Sequence, residues 1–305
     1  MQRSWLRILE WPMRRLIRHY GTARYLYDLV ETLDDREVAR EWMRSTPMYG
    51  RLRESPMTYI DIGAREGPDP MLEPFSDILR FVMFEPDPEE AARLRQRFAS
   101  ERVEVIASAA GQIDGHHVIH LTRKRGNSSV LLPDGHSIGL TAIDGEGLDR
   151  YTVEARAEVA VRRLDDCLAE RGLSADMLKI DTQGFEWPII QGLGEHRPHV
   201  IVAECATTEI YKDQTTIWRI GAHLESLGYF PARLMRRHAV PSVDGSHRSS
   251  IQLYGDVVFV PDLSPTRRSL IARDPIRWFA SLSIHGLADL ARWQAREAGV
   301  DLVFA

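Results

Sequence analysis

Thr58-Tyr59-Ile60-Asp61-Ile62-Gly63-Ala64-Arg65-Glu66-Gly67 and, a turn later, Phe81-Val82-Met83-Phe84-Glu85-Pro86-Asp87-Pro88 decide the fold. Two apolar runs end near acids, and the first breaks at Gly63 and Gly67. Glycine lets a chain turn sharply off a strand and leaves room for a ligand against the backbone. Glu85 follows Gly63 by 22 positions, close to the separation at which nucleotide-binding α/β sheets set a carboxylate on ribose hydroxyls. The pair predicts an adenosine-containing cofactor across the carboxyl ends of two neighbouring strands.

The glycine turn narrows the cofactor. A dinucleotide fingerprint requires Gly-x-Gly-x-x-Gly, whose amides and following helix start receive a pyrophosphate. Gly63-Ala64-Arg65-Glu66-Gly67 lacks one of those glycines. Asp61, just before it, would repel a pyrophosphate but suits the ammonium group of a methionine moiety. That charge logic favours S-adenosylmethionine over NAD.

Working outward, the core domain spans 56–262, between helical extensions at 1–55 and 263–305. Strands are predicted at 57–62, 81–85, 103–108, 177–181, 200–204, 229–234 and 252–260. Helices are predicted at 87–99, 165–171, 185–193 and 216–227, the first opened by Pro88 with Glu89 and Glu90 in its first turn. A short proline-interrupted helical stretch follows the first strand. Strands alternating with helices require a largely parallel sheet covered on both faces, with ligands at its carboxyl ends. Two segments alternate in side-chain character instead, 117–122 and 153–164, and read as an antiparallel insertion. The loop between them, 123–150, has the length of one that serves a site.

The bulk numbers set boundaries. The chain has 305 residues and a net charge of −5, so its overall charge does not point to nucleic-acid binding. Cys167 and Cys205 are its two cysteines and read as reduced core residues. No apolar stretch is long enough for a membrane span, and arginines interrupt every candidate signal-peptide core, so a cytoplasmic chain is expected. Residues 1–24 carry six arginines against the single acid Glu10. With Trp5, Ile8, Leu9, Met13, Leu16 and Ile17 at helical spacing, the segment could rest on the inner face of an anionic membrane or pack on the protein itself. Helical flanks at both ends make a homodimer an expectation as well.

Chemistry gathers at the strand ends. Asp61, Glu85, Asp181 and Glu204 all close apolar runs, and partly buried acids at one edge repel each other unless a ligand meets them. Asp181 and Glu204 are the first choices for binding and deprotonating an acceptor, with Glu186 third. Against those roles stand a structural tie by Asp181 and capping of its own helix by Glu186. Gln183 stands near Asp181 on the same turn. Asn127, with Ser128 and Ser129, sits in the long loop, either to meet cofactor or acceptor or as a plain turn, and Tyr211 could stack on a sugar ring or simply pack in its loop. Ser108 and Ala109 follow the third strand, where an adenine edge is placed by analogy. The oxygens of Asp181 and Glu204 suit a divalent cation, but no metal is expected as part of the site. His116, His117, His120 and His136 show no zinc-ligand spacing.

The joint order of five motifs carries a resemblance. They are Tyr59-Ile60-Asp61-Ile62-Gly63-Ala64, Phe84-Glu85-Pro86-Asp87-Pro88, Val161-Arg162-Arg163-Leu164-Asp165-Asp166, Leu178-Lys179-Ile180-Asp181 with Gly184 and Glu186, and Asp256-Val257-Val258-Phe259-Val260. Over residues 57–261 the chain resembles the FkbM family of S-adenosylmethionine-dependent methyltransferases. The resemblance implies a Rossmann-like seven-stranded methyltransferase sheet with helices on both faces, and methyl transfer to oxygen, often a sugar hydroxyl of a glycan or secondary metabolite. It also implies Asp61, Gly63 and Glu85 for the cofactor, with Ala64, Gly67 and Pro86 beside them, and Asp181 at the reacting edge. Arg65-Glu66 departs from the small or amide residue more usual before the second glycine. Two rivals stay open on sequence alone, an NAD-linked oxidoreductase on a similar sheet and a non-catalytic member that binds a partner.

Overall fold

The computed structural model describes residues 36, 38–135, 149–239, 251–264, 268 and 271–300. The basic segment 1–24 and His136 lie outside them. Among the described residues no helix is long and apolar enough to cross a membrane.

Among the described residues ten strands follow in chain order: β1 (Met57–Ile62), β2 (Leu79–Phe84), β3 (Val103–Ile106), β4 (Ala109–Gly111), β5 (Gly115–Thr122), β6 (Val153–Arg163), β7 (Met177–Ile180), β8 (Val200–Ala206), β9 (Tyr229–Ala239) and β10 (Ile251–Pro261). Seven form one sheet in the order β3-β2-β1-β7-β8-β10-β9. The first five are parallel neighbours, and β10 runs antiparallel to both β8 and β9. The remaining three make a small sheet, β4-β6-β5. Its β5–β6 pair is antiparallel, as the alternating pattern predicts, and β4 joins it in parallel. The sequence reading has no counterpart for β4, because three residues, Ala109-Ala110-Gly111, are too few to show a period.

The helices are α1 (Pro47–Glu54), α2 (Pro88–Arg97), α3 (Leu164–Ala169), α4 (Glu186–Gln191), α5 (Ile217–Ser226), α6 (Pro275–Ile284) and α7 (Ala288–Glu297). Local chemistry sets their ends. The Asp87 carboxylate accepts hydrogen bonds from the amides of Glu89 and Glu90, and Pro88 supplies the first helical turn of α2. Gly228, at φ +81°, ends α5. The crossover after β1 is a 3-10 segment, Pro70–Phe75, with Pro74 inside it. No α-helix therefore begins at the Gly63–Gly67 turn, and the turn lacks the helix N-terminus that receives a pyrophosphate.

The two faces of the large sheet are covered differently. One face presents Ile60, Ile62, Val82, Phe84, Leu178, Ile180, Ile201 and Ala203 to α3, α4 and α5. The other presents Tyr59, Phe81, Met83, Met177 and Val200 to the flanking segments, through Met48 and Leu52 of α1 and Trp278, Phe279 and Leu282 of α6. Both flanks thus belong to the same core as the sheet. Arg277 of α6 fastens this layer: its Nη1 lies 2.7 Å from Asp176 Oδ2 and its Nη2 2.8 Å from the Ser55 carbonyl. The same Asp176 oxygen accepts the Thr58 amide at the start of β1.

Trp278 is fully buried on that face. Trp278→Ala should destabilise the protein by about 3–5 kcal/mol, the cost of deleting a large core side chain. Urea unfolding would measure it, and a loss below about 1 kcal/mol would show that α6 contributes little to the core.

Candidate active site at the carboxyl edge of the sheet

Strand register lines up the site. Ile62 pairs with Phe84 on one side and Ile180 on the other, and Ile180 pairs with Ala203. The next residues, Gly63, Glu85, Asp181 and Glu204, therefore stand level, and Glu204 is opposite Asp256. Alternation along each strand puts this row on the face shared with Tyr59, Met83 and Met177. Asp61 lies one pleat deeper, directly opposite Lys179.

A cleft of about 1660 Å³ opens over the row. Its wall takes Gly63, Gly67, Glu85, Pro86, Ala109, Asn127, Asp181 and Gln183 from the predicted site, and adds Arg65, Lys179, Thr182 and Asp256. Two glycines shape its floor. Gly63 and Gly67 both have φ of +90°; a Cβ on the first would run into the Asp181 carbonyl, and on the second into the Phe98 ring. The Ala64 amide is held by the Phe84 carbonyl at 3.2 Å, which ties the turn to β2.

The place of Asp61 corrects the sequence reading. It is fully buried and absent from the cleft wall, and its Oδ1 lies 3.3 Å from Lys179 Nζ. Lys179 meets that one oxygen, while Oδ2 has no partner among the described residues. Lys179 Nζ also lies 3.7 Å from Asp181 Oδ2. Burial works against the ammonium, but Asp61 and Asp181 outweigh it and hold the lysine charged, its pKa raised well above the ordinary value. Lys179 was visible only as part of a motif; its place opposite Asp61 depends on strand order, which sequence spacing does not give.

Glu85 fits the nucleoside role. It is nearly buried at the wall, and its Oε1 accepts the Asp87 amide at 2.8 Å. Burial pushes its carboxyl up to about 7, with the Asp87 amide and Arg65 pulling the other way. Ser108 is buried next to Ala109, and its Oγ has no partner among the described residues. A buried hydroxyl in that condition costs stability unless a bound group satisfies it. The glycine-shaped floor and the acid at the wall fit S-adenosylmethionine, while Ser108 lies just outside the cleft wall.

At the other end of the row, Gln183 is held at φ +57°. Its Nε2 donates to Asp181 Oδ1 at 2.9 Å and to Glu204 Oε2 at 2.8 Å, which spends both amide protons. Its Oε1 lies 3.1 Å from the Tyr211 hydroxyl, which is also 2.9 Å from the Asn127 carbonyl. Gln183 is thus a clamp on two carboxyls. Tyr211 is buried away from the cleft and cannot stack on a sugar; it joins the inserted loop to the clamp instead. Glu204 is half-buried and outside the cleft wall, and desolvation, with Asp181 beside it, pushes its carboxyl well above the ordinary range. Among the described residues no three of His, Cys, Asp and Glu converge as metal ligands.

Glu186 is a second correction. It is buried outside the cleft wall, and its Oε1 accepts the Thr182 amide at 3.0 Å, the Thr182 hydroxyl at 3.1 Å and the Gly184 amide at 3.0 Å. It builds the strand-to-helix turn that carries Asp181, and the catalytic role expected of it is withdrawn. Asp256 was missed as a site residue because it sits in a run that reads as plain apolar strand.

Glu186→Ala strips these donors of their acceptor and should cost about 1–3 kcal/mol. The pH dependence has a definite sign. Burial raises the Glu186 carboxyl to about 7 from 4.5, so between those values the folded protein keeps a proton that the unfolded chain has shed. Its contribution to stability is then lost as pH rises through that window. Glu186→Gln should gain on the wild type as pH rises from about 5 to 8 in chemical denaturation, and a constant difference would refute the assignment.

The family comparison agrees with this geometry. The methyltransferase FkbM domain profile matches residues 61–231. No curated protein matches the chain. Among solved structures, similarity extends to a precorrin-6y C5,15-methyltransferase from Geobacter metallireducens, at 14% identity and a TM-score of 0.33, covering 74% of this chain and 87% of that one. It extends also to a 1,6-didemethyltoxoflavin-N1-methyltransferase from Burkholderia thailandensis, at 13% identity and a TM-score of 0.32, covering 85% and 90%. At these scores neither structure bears on acceptor or mechanism. The family match spans more than half the chain, and the protein belongs to the FkbM family of S-adenosylmethionine-dependent methyltransferases.

Proposed function

We propose that this methyltransferase acts on oxygen, at a hydroxyl of a saccharide or glycoconjugate. The observation that carries the reading is Asp181: a carboxylate at a strand tip in the cleft wall, held by Lys179 on one side and by Gln183 on the other. S-adenosylmethionine supplies an electrophilic sulfonium methyl when bound. The chain's own task is then to place a hydroxyl in line, take its proton and keep water out. Asp181 is the group that accepts that proton. Its Oδ1 is engaged by Gln183, which fixes the plane of the carboxylate, so the hydroxyl approaches a base of set orientation. Glu204 is kept from that role by its place outside the cleft wall and by Gln183. The polar character of this part of the wall, with Asn127, Ser128, Thr182, Gln183 and Asp256 around Asp181, supports a polyhydroxylated acceptor.

Asp181→Asn keeps the shape and removes the base. Turnover of a responsive acceptor, found with labelled donor over a panel of methyl glycosides, should fall about 10²–10⁴-fold. Calorimetric affinity for S-adenosylhomocysteine should change by no more than about threefold. A variant that turns over normally, or one that loses the cofactor product instead, would remove Asp181 from this role.

A further inference from the structure

The cations of the cleft wall are not equally occupied. Arg65 lies 3.5 Å from Asp87, and Arg93 donates to Glu90 at 3.2 Å. Arg97 donates to the Glu66 carbonyl at 3.3 Å and lies over the Phe98 ring, while Arg102 donates to the Asp77 carbonyl. Lys179 stands between Asp61 and Asp181. Each of these is committed to the fold or to the acid row.

Lys124 and Arg125 are adjacent and differ from the rest. Both are exposed at the cleft wall on the loop that carries Asn127. Among the described residues the Lys124 ammonium has no ion-pair partner, and Arg125 reaches Glu154 only at 4.0 Å. Glu154 is already taken at 3.0 Å by Arg123, which also pairs with Asp149. Beside them, Asn127 Nδ2 is buried and has no acceptor. Among the described residues, Lys124 and the Asn127 amide therefore line the cleft without a partner, beside an Arg125 held only at 4.0 Å.

The loop is held in place for this. The Asn127 carbonyl meets the Tyr211 hydroxyl, Ser128 Oγ accepts the Thr122 amide at 3.1 Å, and Ser129 bridges to His120. Through Tyr211 and Gln183 the donor cluster has a fixed relation to Asp181. Asp181, Asp256 and Glu85 on the same cleft wall repel an anion. An acceptor with one negative group and one reacting hydroxyl is drawn to the two cations by its anion, which leaves the hydroxyl for Asp181.

Resting on the methyl-transfer reading above, we infer that the acceptor bears an oxyanion, a phosphate monoester or a carboxylate, received by Lys124, Arg125 and Asn127 while its hydroxyl faces Asp181. A guanidinium and an ammonium side by side suit either anion, the first by paired hydrogen bonds and the second as a point charge.

The test uses the full chain saturated with S-adenosylhomocysteine at low ionic strength. Inorganic phosphate and acetate are titrated separately by calorimetry into wild type and the double variant Lys124→Ser with Arg125→Ser. Saturable binding of either anion, weakened at least about tenfold in the double variant and by added sodium chloride, supports the inference; the anion preferred names the acceptor's group. In a transfer assay, the turnover ratio of glucose 6-phosphate or glucuronate to methyl glucoside should drop at least about tenfold in the same variant. Absence of saturable anion binding, equal binding by both proteins, or preferred turnover of the uncharged glycoside would overturn it. Failure of S-adenosylhomocysteine itself to bind would undo the donor site, and this inference with it.

Discussion

The ion pair between Asp61 and Lys179, with Asp181 as the lysine's second neighbour, is the constraint on which the site depends. Five acids occupy the carboxyl edge of one sheet face: Asp61, Glu85, Asp181, Glu204 and Asp256. Carboxylates gathered in a partly dry edge cannot all be ionised at low cost. The edge resolves the problem unequally. Lys179 is held charged between the β1 and β7 acids, while burial pushes Glu85 and Glu204 up. The row therefore has one ammonium at its centre, between flanking acids that hold protons more readily.

Gln183 turns that division into geometry. An amide can donate to two carboxyls and accept from a hydroxyl without carrying charge, so it can tie Asp181, Glu204 and Tyr211 together where an arginine would neutralise the base. Glu186 supports the same turn from beneath through the Thr182 and Gly184 amides. The strand-to-helix connection after β7 is thus specified twice, once by a buried acid below and once by the clamp above.

Much of this fold was legible because its signals are local. Apolar runs of the right length, Gly63 and Gly67, Pro88 after Asp87, and Gly228 after α5 each act within a few residues. Glu85, Asp181 and Glu204 could be chosen because each ends such a run. The errors arose where the answer lies across strands. The Asp61–Lys179 pair went unseen because its members are 118 residues apart in sequence. Tyr211 was read as a stacking platform because nothing near it in sequence reveals that its hydroxyl meets Asn127 and Gln183. Asp256 was hidden by the antiparallel return of β10, which alone puts it opposite Glu204.

The flanking layer has its own consequence, for synthesis. Arg277 reaches back 222 residues to Ser55, and α6 and α7 cover an apolar sheet face whose strands β1 and β2 leave the ribosome long before them. α1 precedes the sheet and can meet that face early, whereas α6 and α7 reach it only after every strand has been made. Such distant closure slows folding and lengthens the exposure of apolar surface.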